Sequence, residues 1–475
     1  IMEKTKKLRP FGMIDKVGYA FGDLGCGLSF SLVSNYMLLF YTQVIGLSTG
    51  NWAWIVIVSK IWDAINDILI GNMVDRTRIS KKSKFMPWII IGAIGLVALN
   101  IMVFAPVQSF SQGGKIAWCL ASYCLWSIAY TMANVPYGAL HSVITEDARG
   151  RTALSIFRSI GAGVAMVFIM LIPKFIYTET KTVTGAPLQI FNGSRMFMVA
   201  IVFSIGSLIF LFATTKMVSE RVPCGETAEK ISYISTLKSF FSNRAMVGAT
   251  LATLASIVFC NSTMSVNNLV FQYFFNDAKK TTIASFASYI PFVILMPFAG
   301  KLVASFGKKK IITITGIIST VAGIMMLLLP ITPDSKGMYI YIGGLMAVNI
   351  GNGFFQIIVW AIVADCIGLS YRKSGVHEEG SLYAVYSFFR KLAQGIGSAI
   401  AALGLSAIGF VEGNGAVQSE AFGGKVEKLY IIFLTAGTAI MVLAMHFVYN
   451  ITKKDEDDFA SLDVLNEIEP GAIEE

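Results

Sequence analysis

The sequence predicts an all-α membrane protein of twelve transmembrane helices arranged as two six-helix halves, and three observations carry that expectation. The 475 residues are 55% hydrophobic and 14% charged, with a mean hydropathy of +0.66, far more apolar than a water-soluble domain. Apolar windows of about 20 residues, the length that crosses a ~30 Å hydrocarbon core, recur between polar punctuation. A glycine-and-cation motif also appears twice, each time after the second span of a six-span set.

The twelve spans run roughly 17–45, 50–75, 85–107, 115–142, 152–177, 193–215, 245–275, 281–306, 309–331, 338–366, 381–410 and 426–450. Residues 1–215 form the first six-helix bundle, 216–244 a polar middle loop, 245–450 the second bundle and 451–475 an acidic tail. The net charge of +9 is distributed as a topology signal rather than as a nucleic-acid footprint. With both termini cytoplasmic, the inner segments carry 25 Lys and Arg against 9 outside, and the other four, Lys60, Arg158, Arg390 and Lys391, lie within spans. That excess predicts a multi-pass protein of the cell (inner) membrane with both ends and the middle loop inside. The basic start and the apolar run after it read as a retained first span, because the run is long, contains Asp23 and has no A-x-A site behind it. The six cysteines show no CxxC spacing and read as packing residues.

The repeat pairs Gly71-Asn-Met-Val-Asp75-Arg76, followed by Lys81, Lys82 and Lys84, with Gly300-Lys-Leu-Val-Ala304 leading to Gly307 and Lys308 to Lys310. A tight turn whose glycines admit close helix approach, followed by cations that hold the loop inside, accounts for each copy. Recurrence at matching places predicts internal duplication.

An ionisable group in mid-span costs about 3 kcal/mol, so each is a candidate functional residue. Span two is the richest. Lys60, Asp63 and Asp67 follow the spacing that puts side chains on one helix face, with Asn66 between the carboxylates. Two carboxylates one turn apart can share a hard monovalent cation or hold a proton. Lys60 can neutralise part of their charge when the site is empty, and a structural ion pair with Lys60 is the alternative use of the same residues. Polar stripes at helical spacing mark other spans: Asp23, Gly27, Ser31 and Asn35; Ser127, Thr131, Asn134 and Gly138; Arg158 with Ser155 and Ser159; Asn261, Ser265, Asn268 and Gln272; Asn349, Asn352 and Gln356; Ser387, Lys391 and Gln394. Such faces can line a wet cavity for a hydroxyl-rich solute, with Tyr130 stacking on a sugar face. Any single amide in a stripe serves interhelical hydrogen bonding as readily as ligand contact. Because Asp23, Asp63 and Asp67 all fall in the first half, the cation site is expected there and the substrate between the halves.

The segments Tyr19-Ala-Phe-Gly-Asp23, Ile61-Trp-Asp63-Ala-Ile-Asn-Asp67, Asp75-Arg76-Thr, Lys84-Phe-Met-Pro87-Trp, Asn134-Val-Pro-Tyr-Gly-Ala-Leu, Arg149-Gly-Arg-Thr, Arg158, Ala364-Asp365 and Lys391 together resemble the glycoside-pentoside-hexuronide:cation symporters of the major facilitator superfamily. The resemblance covers nearly the whole chain. It implies the major facilitator fold and symport of a sugar with Na⁺, Li⁺ or H⁺. It implies cation ligands at Asp63 and Asp67 with Thr131 close by, and sugar contacts at Tyr130 and Arg158 with Lys391 beside the pathway. Galactoside-carrying members have aspartates at the positions of Gly27 and Asn134 and a tryptophan at that of Gly138. Asp23, one turn before Gly27, can supply a displaced carboxylate, and Asn134 can still bond hydroxyls. Loss of two negative charges with Arg158 and Lys391 retained suits an anionic sugar such as a hexuronide. The loop that begins at Asp365 lacks the acidic run usual in this family.

The reading that follows is a secondary transporter taking up a glycoside, pentoside or hexuronide with a monovalent cation. The expected partners are that sugar, the cation and membrane lipid, with no cofactor and no nucleic acid. A carrier of a lipid-like amphiphile and an uncoupled sugar facilitator are alternatives, as is a non-transporting membrane sensor. An ATP-driven pump or membrane enzyme is disfavoured, since no G-x-x-x-x-G-K-[ST] occurs and the three histidines show no metal-ligand spacing.

Overall fold

The computed structural model describes residues 9–77, 79–80, 83–145, 148–181, 187–221, 233–261, 263–374, 379–413 and 416–456. Lys81, Lys82, Cys224 and most of the acidic tail lie outside these residues, as do the side chains of Asp75, Arg76, Arg149 and Asn261. The chain divides into two compact units: Ile1–Ala228 with Asp277–Thr282 and Ala402–Ser419, and Glu229–Asn276 with Ile283–Ala401 and Glu420–Glu475.

The first unit is built on α1 (Met13–Leu39), α2 (Thr49–Arg76), α3 (Met86–Val103), α4 (Gln112–Ile144), α5 (Ala148–Leu171) and α6 (Gly193–Met217). The second carries α7 (Arg244–Ala255), α8 (Thr281–Leu295), α9 (Lys308–Leu328), α10 (Ser335–Ser374), α11 (Glu379–Ala407) and α12 (Phe422–Leu443), with shorter helical turns extending α7, α8 and α12. Among the described residues ten helical runs are long and apolar enough to cross a membrane. The predicted second and eleventh spans form helices of 28 and 29 residues but are not among the ten. Their mid-helix polar and charged residues, which mark them as functional candidates, also lower their hydropathy. On α2, Ile57, Ile61, Ile65 and Leu69 stand one turn apart and are each about half exposed, while Ser59 and Asn66 are buried. That apolar row is the face a hydrocarbon solvent accepts, and the polar row turns inward.

Structure and sequence differ in three places. Beyond span five, whose helical run through α5 and the Pro173–Ile176 turn reaches Ile176 as expected, comes a hairpin that the sequence reading did not include: β1 (Tyr177–Lys181) and β2 (Pro187–Phe191), pairing Tyr177 with Phe191. Pro173 has no N–H to continue the ladder, and the alternating Tyr-Thr-Glu-Thr run favours an extended strand. Asp365 to Ser374, expected as a loop, is the last part of the 40-residue α10. Asn243 holds it by donating to the Cys366 carbonyl and the Ser370 hydroxyl, each at 2.7 Å, and Lys308 pairs with Asp365. Third, π-helical turns at Phe40–Val44, Ser256–Asn261, Val270–Phe274 and Ala444–Val448 widen the spans beyond a simple α period.

The two units repeat a device the sequence did not disclose. In the first, Glu220, just beyond α6, accepts from the Ser83 hydroxyl at 2.6 Å and from the backbone N–H groups of Lys84 and Phe85, each at 2.9 Å, at the start of α3. In the second, Glu456, beyond α12, accepts from the Lys308 N–H at 3.0 and 3.2 Å at the start of α9. Each third span therefore has its orphan N–H groups and positive dipole end met by a glutamate from beyond the sixth. Of the repeat's glycines, Gly307 adopts φ +76 and meets Lys453 closely, as a tight turn requires, whereas a Cβ on Gly71 or Gly300 meets nothing within 4 Å.

Close approach falls elsewhere. A Cβ on Gly92 of α3 would sit 2.5 Å from the Ala133 nitrogen of α4, and one on Gly161 of α5 would sit 2.2 Å from the Ala20 carbonyl oxygen of α1. Small residues at these crossings let backbones touch where no hydrophobic effect drives helices together. Gly92→Val is expected to lower the thermal unfolding midpoint in detergent by roughly 5 °C or more, as overpacking of a rigid crossing does. Gly71→Ala, with open space around the added carbon, should leave it unchanged or raised. An unaltered midpoint for Gly92→Val would contradict the packing.

Candidate cation and substrate sites

α2 and α4 present matching polar rows. On α4, Tyr123, Ser127 and Thr131 recur once per turn. On α2, Lys60, Asp63, Asn66 and Asp67 occupy the facing side. Lys60 Nζ donates to Asp63 Oδ2 at 2.9 Å and to the Tyr123 hydroxyl at 2.6 Å, and that hydroxyl donates to Asp63 Oδ2 at 3.1 Å. The Ser127 hydroxyl donates to Asp63 Oδ1. Asn66 Nδ2 donates to Thr131 Oγ1 at 3.0 Å and to the Ser127 carbonyl at 3.3 Å, and Thr131 Oγ1 donates to Asp67 Oδ1 at 2.9 Å. The result is a continuous polar chain from the Lys60 ammonium to the second aspartate. Asp63, Asn66, Asp67 and Thr131 are thus brought together.

Sequence reasoning had the α2 residues and Thr131 and placed Ser127 in a polar stripe that can line a cavity, but it missed Tyr123. The signal for Tyr123 was its i, i+4, i+8 register with Ser127 and Thr131. The ion pair with Lys60, an alternative at the sequence level, is formed: both side chains are less than one-sixth exposed. Chemically the row offers carboxylate, hydroxyl and amide oxygens to a monovalent cation, and Lys60 already places a positive charge on Asp63. Among the described residues no three His, Cys, Asp or Glu converge as a metal cluster, so a ligand here draws on hydroxyls and an amide beside two carboxylates.

A second constellation in the same unit joins α1, α4 and α5. Arg158 Nε donates to Asp23 Oδ1 at 3.0 Å; the Arg158 side chain is 43% exposed and that of Asp23 is 17%. The guanidinium lies 5.5 Å from the centre of the Tyr137 ring, which stacks on Tyr19 at 4.7 Å. The Tyr137 hydroxyl donates to the Tyr19 carbonyl at 2.8 Å and fixes the aromatic support. Tyr130, the predicted stacking residue, is held by Trp126 at 5.3 Å, and the Trp126 N–H is anchored on Ser29. Asn134, one turn beyond Tyr130, is half-buried. α4 therefore carries the polar row that meets α2 and, on the neighbouring face, Tyr130, Asn134 and Tyr137. Pro136 within α4 removes one ladder bond there, leaving a helix able to bend beside both groups.

The remaining candidates belong to the second unit. Gln356 Nε2 donates to the Ser256 hydroxyl at 2.9 Å, which donates to Asn352 Oδ1 at 2.5 Å. Gln356 is thereby engaged in interhelical bonding across the π-helical turn that follows α7. Lys391 is half-buried on α11, beside Arg390, whose guanidinium lies 4.6 Å from the Trp360 ring centre. Glu427, at the start of α12, is a buried carboxylate that the span count missed because it lies at a span's edge.

A sequence profile for the MFS/sugar transport protein family matches residues 18–453. The Bacillus subtilis (strain 168) protein named uncharacterized symporter YjmB is 29% identical over 463 residues, 95% of this chain and 94% of that one. The Escherichia coli (strain K12) protein named putative sulfoquinovose importer is 26% identical over 445 residues, 93% and 91% of the two chains. A solved D-xylose-proton symporter superposes with a TM-score of 0.62 at 14% identity, covering 93% of this chain and 98% of that one, which shows the shared fold. Because the profile spans nearly the whole chain, the protein belongs to the MFS/sugar transport protein family, and it is a sugar transporter rather than an enzyme.

Proposed function

We propose that the chain couples entry of a monovalent cation, Na⁺, Li⁺ or H⁺, at Asp63, Asn66, Asp67 and Thr131 to uptake of an anionic glycoside or hexuronide-like sugar. Asp23, Tyr130, Asn134 and Arg158 hold the sugar. The protein works by alternating access in the cell (inner) membrane with both termini cytoplasmic. The observation that carries the coupling is the Lys60–Asp63 ion pair at 2.9 Å. Because an internal ammonium pairs with the carboxylate, an arriving cation must displace it and thereby rearrange the α2–α4 row. α4 transmits that change because it carries Thr131 and also Tyr130 and Asn134. Coupling of this kind is a mutual gain in affinity and must run both ways.

The half-exposed Arg158 supports an anionic substrate. Asp23 takes its Nε, and the guanidinium is exposed enough to meet a carboxylate or sulfonate as well. A relative named for a sulfonated sugar fits that chemistry. The test is uptake into membrane vesicles of a labelled panel of neutral glycosides, pentosides, uronides and sulfonated sugars, with and without Na⁺ and a proton gradient. At least one anionic sugar should enter faster with a cation gradient. Uptake indifferent to Na⁺ and to pH across the panel would instead make the chain an uncoupled facilitator.

A further inference from the structure

At the junction of the end of α9 and the start of α12 lies a cavity of about 300 Å³, lined by Phe274, the run Met326 to Ile331, Gly424, Glu427 and Lys428. By water's share of liquid volume that is room for about ten small heavy groups, more than an ethanolamine phosphate needs. Glu427 is only 5% exposed and makes no hydrogen bond or ion pair among the described residues. A buried carboxyl without a hydrogen-bond partner is costly whether it ionises or holds a proton, so the place favours a group that donates to its oxygens. The same cavity is lined by the last turn of α9, whose orphan carbonyls and negative dipole end also favour a cation. The nearby acid, Asp334, is already committed: it accepts from the Thr332 hydroxyl at 2.6 Å and the Gly337 N–H at 2.7 Å, bonds that hold its carboxyl below the usual range.

The rest of the cavity is amphiphilic. Leu328 is 79% exposed and Met325 and Leu329 are about half exposed, forming an apolar flank that runs out along α9. Lys428 is exposed at the rim, next to Glu427 in the chain. A sugar would find one carboxylate and few hydroxyl partners here, and a bare alkali ion would lack the several oxygen ligands hard cations want. One chemistry meets every wall: a primary ammonium for Glu427 and the α9 carbonyls, a phosphate for Lys428, and acyl chains for the leucine flank.

We propose that this cavity is a headgroup site for a phospholipid bearing a primary ammonium, the ethanolamine type. The ammonium N–H groups donate to Glu427, and the selectivity comes from those donors, since a choline headgroup carries the same charge with none. The test is native mass spectrometry of the purified chain with phosphatidylethanolamine, its mono- and dimethylated forms and phosphatidylcholine. Retention is expected to fall stepwise with each methyl group, by about tenfold over the series. Glu427→Gln should flatten that gradient, while Lys428→Gln lowers retention of all four lipids alike and keeps it. Equal retention of the four lipids by the unaltered protein would overturn the site, as would a full gradient in Glu427→Gln. The methylation series needs no variant, so a misfolded substitution leaves the test intact, and sugar uptake is not its readout.

Discussion

Replacing Asp63 with Cys is expected to abolish stimulation of uptake by Na⁺ and by a proton gradient. Asp63 receives donors from Lys60, Tyr123 and Ser127. Its loss takes away the carboxylate that a cation would compete for. A charged hydrogen-bonding partner contributes about 1.5–3 kcal/mol, or roughly 10- to 100-fold in cation affinity. The same substitution strands the Lys60 ammonium, and an uncompensated buried charge costs about 3–5 kcal/mol, so lowered stability could imitate lost coupling. The double variant Lys60→Met, Asp63→Cys separates the two. It should recover much of the thermal stability by restoring neutrality, yet remain unresponsive to cation. Uptake by Asp63→Cys that still responds fully to Na⁺ and pH would remove this residue from the cation site. Recovery of the response in the double variant would show that Lys60 and Asp63 act only as a structural pair.

The fold and the polar α2–α4 row were legible in the sequence to different depths. Apolar windows separated by basic loops mark most spans, because a hydrocarbon solvent imposes one requirement on every stretch of about 20 residues. The α2 face was legible too, since Lys60, Asp63 and Asp67 announce themselves by their cost in that solvent. Their partners were harder to see. Tyr123 is an ordinary residue for a span, and only the packing of α2 on α4 turns it into a ligand of both Lys60 and Asp63. Gln356 shows the opposite case: its place in a polar stripe suggested substrate, and the Ser256 hydroxyl of a π-helical turn takes its amide instead. That turn has no period of its own to read from sequence. Glu427 escaped because charge at a span's edge resembles ordinary loop charge, and only burial tells them apart.

Arg158→Lys is expected to separate anionic from neutral substrates. Lysine keeps the positive charge and can keep the pairing with Asp23, so the unit should fold and neutral glycosides should enter at close to the original rate. What lysine cannot do is hold Asp23 with one edge while presenting a planar pair of N–H donors from the other. A sugar whose carboxylate or sulfonate depends on that pair should lose about 1.5–3 kcal/mol of binding, a rise in KM of roughly 10- to 100-fold. Asp23→Asn acts in the opposite direction, because it releases the guanidinium from its ion pair and leaves more positive potential for an incoming anion. The measurement is the ratio of KM values for an anionic and a neutral sugar in the two variants and the unaltered chain. The ratio should rise in Arg158→Lys and hold or fall in Asp23→Asn. An equal loss for both sugars in Arg158→Lys would mean that Arg158 serves only to brace Asp23 and Tyr137, and the charge that selects the substrate would then have to come from another residue.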